Sequence, residues 1–167
     1  VAQSWKDFEA YDYVGAGMDY AAAWYGHAKA FEATGKYAMC INAEEWLHLN
    51  FFMRNVSGIG TVVVCTGRNR GLRRTQEMVH HAAVDMKRPT VVITDEPDCF
   101  RQDCPDIIRV PGTAYDLSAA LTGFAPCALL NGYISAMIGE TYGRGCRDNW
   151  AFADHGAGIK VSDMVLD

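Results

Sequence analysis

The run Thr61-Val-Val-Val-Cys-Thr66 is apolar through its middle and does not alternate. A strand of that kind is buried on both faces, which requires helices on both sides of a sheet. It leads through the turn Gly67-Arg-Asn-Arg-Gly71 into a helical pattern from about Leu72 to Lys87, with Met78, Ala82 and Met86 as its buried stripe. Pro89 then opens a second strand of the same character, Thr90 to Thr94. Strand, helix and strand in alternation predict an α/β fold: a three-layer sandwich around a mostly parallel sheet.

The pattern extends upstream. Tyr11 to Val14 reads as a strand ending in Gly15-Ala16-Gly17, and the helix formers after Asp19, a candidate N-cap, run until Gly35. Tyr37 to Ile41 is a further strand, and Asn42 caps a short helix ending near Leu49. The first helix places Lys29 and Glu32 one turn apart, and the second does the same for Glu45 and His48. Two helices with an ionisable pair each can form a proton-transfer site or two solvated faces. The dinucleotide fingerprint is missing, since no third glycine falls at the helix start.

Downstream, residues 95–106 form a polar loop, Ile107 to Val110 a short edge strand, and residues 119–138 an almost wholly apolar stretch. Pro126 suits a helix start, so a helix from Cys127 to Gly139 is expected, buried on all sides and facing another subunit. Residues 1–139 then form one domain and 140–167 an arm that packs on a neighbour. Val1 in place of methionine points to a processed chain or part of a longer one.

Several classes are disfavoured. A net charge of -5 argues against nucleic acid, and the one basic cluster, Arg68, Arg70, Arg73 and Arg74, reads as a solvated loop and helix start. No apolar run approaches the ~20 residues of a membrane span. Cys40, Cys65 and Cys127 lie in apolar runs and read as free thiols of a reducing, cytoplasmic interior. Cys99 and Cys104 have the spacing of a ligand pair, but no second pair or nearby histidine completes a zinc site, so no metal and no cofactor is expected.

The order of elements and the residues Lys29, Glu32, Glu45 and His48 resemble the sugar isomerase (SIS) domain family, in particular the second of the two SIS domains in glucosamine-6-phosphate synthases. Val14-Gly-Ala-Gly17 is similar to that family's glycine turn, and Ala125-Pro-Cys-Ala-Leu-Leu130 to the start of its last long helix. The resemblance covers about Tyr11 to Glu140. It implies aldose–ketose isomerisation of a sugar or aminosugar phosphate. Glu32 would carry the proton between C1 and C2, His48 would open the sugar ring from a partner subunit, and Lys29 would hold charge beside Glu32. Glu45, Gly15, Gly17 and Thr66 would bind substrate. The partner implied is another SIS domain or an identical subunit. The chain departs from the family at the phosphate loop, which is rich in serine and threonine there. Thr66 to Gly71 has one threonine, two arginines and glycines instead. Two other activities fit the same residues: a fructosamine-phosphate deglycase and a noncatalytic sugar-phosphate-binding subunit.

Overall fold

The computed structural model describes residues 1–140. The expected C-terminal arm, with Cys146 and the Arg144, Arg147, Trp150 and His155 group, lies outside the described residues except for Glu140. Five parallel strands form one sheet in the order β2-β1-β3-β4-β5. They are β1 Ala10–Gly15, β2 Tyr37–Asn42, β3 Ile59–Val64, β4 Thr90–Thr94 and β5 Ile107–Arg109. The expected three-layer α/β sandwich is the observed architecture.

Alternation along the strands divides the core in two. Tyr11, Tyr13, Val62, Val64, Val91 and Ile93 point to the layer that holds α1 Ala2–Trp5, α2 Asp19–Thr34 and α5 Asp116–Met137. Val14, Val63 and Val92 point to the opposite layer, which holds α3 Ala43–Asn50 and α4 Leu72–His80. The helices after β1 and β2 therefore cover opposite faces of the sheet. α4 continues as a π-helical turn, His81–Asp85, which carries Ala82 of the expected stripe into the core.

The layer of α2 and α5 depends on small residues. A β-carbon at Gly123 would lie 2.8 Å from that of Ala22, and one at Gly26 would lie 3.1 Å from the Cys127 sulfur. Ala22, Ala23 and Ala30 complete that close approach. A buried polar link crosses it: the Tyr13 hydroxyl donates to Asn131 Oδ1 at 2.7 Å, and Asn131 Nδ2 donates to the Gly26 carbonyl at 2.9 Å.

Three expectations about the apolar stretch are corrected. The helix begins at Asp116 rather than near Pro126, which lies inside it. The proline forgoes one helical hydrogen bond, at a cost of ~3 kcal/mol in an isolated helix, but Ala119, Ala120 and Gly123 upstream of it are buried and make the first half worth ordering. Nor is the helix buried all round, since Leu117, Leu121, Leu129, Tyr133 and Met137 face outward. As one element of 22 residues it is also long and apolar enough, by length and composition, to cross a membrane, contrary to the expectation that no stretch would be. In the fold its inner side packs on the sheet and on α2.

Candidate functional site

In a sheet of this order the connection after β1 runs outward to β2 and the connection after β2 returns past β1 to β3, so a crevice opens at the carboxyl ends of β1 and β3. Such a cleft is present, with a volume of 230 Å³, lined by Ala16, Gly17, Asp19, Thr66, Asn69 and Arg70 among others. Both α2 and α4 start at its edge, so the positive ends of two helix dipoles face it. Gly17 adopts φ 53°, the left-handed region that glycine enters freely. Gly15 lies beneath: a β-carbon there would sit 2.8 Å from the Asp19 carbonyl oxygen, so only glycine lets the first turn of α2 settle on the strand end.

Asp19 holds the cleft together. Its carboxylate, 1% exposed, accepts from the Thr66 backbone N–H at 2.9 Å, the Thr66 hydroxyl at 3.0 Å and Asn69 Nδ2 at 2.6 Å. Asn69 also donates to the Ala16 carbonyl at 2.8 Å and accepts from the Gly71 N–H at 2.8 Å, which ties the β1–α2 turn to the β3–α4 loop. Asp19 is thus not the helix cap expected from its position. Met18 precedes the helix and Asp19 makes no cap bond, because three donors from the neighbouring loop outcompete one helical N–H. Thr66, expected to bind substrate, spends both its N–H and its hydroxyl on Asp19. The Gly67 N–H is likewise taken, by Asp95 at 2.7 Å.

The arginines divide. Arg68 donates to the Thr113 carbonyl at 2.7 Å and pairs with Asp116 at 3.2 Å, and Arg74 pairs with Glu44 and Glu77 across α3 and α4. Arg70 is exposed at the cleft and makes no hydrogen bond or ion pair among the described residues. It is the cleft's uncommitted cation.

Glu45 lies beside this cleft. It lines an adjoining depression with Tyr20, Cys40, Ile41 and Asn42, and Gly17 borders both hollows. Asn42 caps α3 as expected, its side chain accepting from the Glu44 N–H at 3.1 Å. Burial pushes the Cys40 thiol above its ordinary value, with the Tyr20 hydroxyl bond opposing.

Lys29, Glu32 and His48 are elsewhere. α2 runs away from the cleft, and Glu32, thirteen residues past Asp19, is about 20 Å down its axis. Lys29 and Glu32 form an ion pair there, with the Glu32 side chain 61% exposed, and the pairing raises the Lys29 pKa. His48 is exposed on α3, on the other face of the sheet, with its ring 6.1 Å from that of Phe52. Within one chain the Lys29–Glu32 pair does not converge with His48, and neither the pair nor His48 reaches the cleft.

A group that the sequence did not single out lies under α3. Arg88 donates to Asp12, and to Asn50 Oδ1 at 2.6 Å, while Trp46 Nε1 donates to Asp12 Oδ2 at 2.9 Å. Burial pushes the Asp12 carboxyl up, against the pull of Arg88 and Trp46. Lys87-Arg88-Pro89 reads as a polar turn, and no periodicity marks Arg88 as interior. Among the described residues no group of three or more His, Cys, Asp or Glu side chains is placed to hold a metal, and the five cysteines there are free.

A parallel sheet with its cleft at the β1/β3 junction defines the class of fold, and solved structures share it. The C-terminal domain of glucosamine-fructose-6-phosphate aminotransferase from Francisella tularensis superposes with a TM-score of 0.72 at 17% identity, over 84% of this chain and 39% of that one. The tagatose-6-phosphate ketose/aldose isomerase from Escherichia coli gives 0.63 at 15% identity, over 80% and 37%. The Vibrio vulnificus NanR protein complexed with ManNAc-6P gives 0.65 at 13%, over 98% and 60%. No protein-family model and no curated protein sequence matches the chain. The fold is that of the sugar isomerase domain. The chain spans less than half the length of the Francisella and Escherichia proteins.

Proposed function

We propose that this chain is a SIS-domain subunit that binds a sugar phosphate and acts in aldose–ketose isomerisation together with another SIS domain or an identical subunit, in the cytoplasm. The observation that carries the reading is the cleft at the β1/β3 strand ends, where two helix N-termini and the uncommitted Arg70 favour an anion. Two neighbours, the tagatose-6-phosphate isomerase and the protein that holds ManNAc-6P, support a phosphorylated sugar as that anion.

Chemistry belongs to an assembled site. Glu32 takes the proton from C1 of the open-chain ketose, leaving an enediol, and returns a proton at C2. Lys29 holds charge beside it, and His48 of another subunit protonates the ring oxygen when the cyclic sugar opens. Gly15, Gly17 and Thr66 belong to the sugar-phosphate cleft, Gly15 from beneath it and Thr66 through the shape it gives the loop, and Glu45 lies in the hollow beside it.

Mixing the isolated chain with fructose 6-phosphate should give binding without aldose formation, because cleft and carboxylate lie too far apart for one sugar. In the complete assembly, Glu32→Gln should lower turnover by ~100-fold with little change in sugar-phosphate affinity, the mark of a group needed in the transition state. Solvent deuterium entering C2 at the wild-type rate in that variant would remove Glu32 from the reaction. A second reading, a subunit that binds sugar phosphate without turning it over, is favoured by that same separation. It is the outcome if the complete assembly also leaves fructose 6-phosphate unchanged.

A further inference from the structure

α3 has only eight residues, and a helix so short takes its orientation from what it packs against. Its buried side is Ala43, Trp46 and Asn50. Trp46 and Asn50 are one turn apart, and both are held by the same ion pair. The Trp46 indole N–H donates to Asp12 at 2.9 Å, Arg88 donates to Asn50 at 2.6 Å, and the Arg88 guanidinium lies 5.2 Å from the centre of the Trp46 ring. Two attachments one turn apart fix both the height of a helix and its rotation. His48 lies two residues from each of them, about 200° around the axis, so it points away from the attachment and moves with any rotation of the helix.

Delivering Arg88 has a cost in backbone conformation. Lys87 adopts φ 54°, the sole positive value at a non-glycine position among the described residues, and the chain there turns Arg88 inward. Strain of that kind persists where the surroundings impose it. The Arg88 side chain is 0% exposed and Asp12 8%. An ion pair buried so completely is commonly no more stabilising than apolar residues of the same size, so stability alone does not account for it.

We propose that Asp12 and Arg88 are positioning residues, which set α3 through Trp46 and Asn50 and thereby fix where His48 points. The inference rests on the reading of His48 as the ring-opening acid only for its functional consequence; the structural coupling stands independently.

The test uses the full chain with isotope-labelled histidine. The His48 ring signal and its NOE to the Phe52 ring, 6.1 Å away between centroids, are followed across pH in wild type and in Asp12→Leu/Arg88→Met. A core truncation on the same face, Val92→Ala, serves as the control for lost stability. The double variant leaves the buried Trp46 indole N–H and the Asn50 side-chain carbonyl without partners, so it and Val92→Ala should both melt below wild type, but only the double variant should shift or split the His48 signal and lose the Phe52 NOE. Arg88→Lys keeps the charge and loses the forked geometry, and should disturb His48 in the same way; it decides the matter if the double variant does not fold. A folded double variant, or a folded Arg88→Lys, with an unchanged His48 signal and NOE overturns the proposal. Wild-type turnover by His48→Ala in the complete assembly would instead sink the catalytic reading and leave the coupling intact.

Discussion

The cleft at the carboxyl ends of β1 and β3 and the outer surfaces of α2 and α3 carry their polar residues in opposite ways. In the cleft, Asp19, Thr66, Asn69 and the Gly71 N–H are bonded to each other, Asp19 and Thr66 almost fully buried, before any ligand arrives. On the helix surfaces, Lys29 and Glu32 meet, among the described residues, only each other and a nearby tyrosine ring, and His48 is exposed on the far side of the sheet. A site built from interlocked groups is preorganised in the single chain. A pair on a solvated surface gains catalytic force only when a second body removes the water, since an exposed ion pair alone contributes little. Under the proposed function, binding then belongs to the chain and chemistry to the assembly.

The largest expected effect breaks the cleft. Asp19→Ala leaves the Thr66 N–H and hydroxyl and the Asn69 amide without their acceptor, and the loss should be about 3 kcal/mol of stability. Urea unfolding measures it, and calorimetric titration with a hexose 6-phosphate should show no remaining binding. A variant that unfolds like wild type would mean that the cleft is not preorganised by Asp19.

Arg70→Ala sharpens the comparison by separating affinity from architecture. Arg70 bonds nothing among the described residues, so the melting temperature should not move, while affinity for the sugar phosphate falls by about tenfold, or ~1.4 kcal/mol. Unchanged affinity in the calorimeter would place the anion elsewhere.

The smallest effect lies away from both regions. Asp103 bonds His80 at 3.0 Å and raises the histidine's pKa. A raised folded value means that the contribution to stability is full below the ordinary histidine value, ~6.5, and is lost as pH rises through the elevated one. The effect is modest, because the His80 side chain is half exposed. Asp103→Asn should flatten the fall of melting temperature as pH rises above ~6.5 while leaving ligand titrations unaltered.

The reach of the sequence follows the range of the forces involved. The buried strands, the glycine turn at Gly15 to Gly17 and the Asn42 cap are local features, and they were legible. Gly17 and Thr66, picked out by the family resemblance, line the cleft, whereas Glu45 lines the hollow beside it. Asp19 was visible as a residue but not in its role, since an aspartate before a helix reads as a cap and its actual donors are 47 and 50 residues away. Arg88 was invisible for the same reason, its partner Asp12 being 76 residues distant. Pro126 misled because local propensity was set against packing along the first half of α5, which only the folded chain reveals. The spacing of Glu32 and His48 suggested a shared site, yet spacing along the chain says nothing of which side of the sheet each helix covers.

The division of labour is tested most directly by titrating the isotope-labelled single chain with a hexose 6-phosphate and following its backbone amide signals. Saturable shifts confined to Gly17, Met18 and residues 66–71, with Lys29, Glu32 and His48 silent, are the predicted result. Shifts centred on Lys29 and Glu32 with the cleft amides unmoved would contradict it.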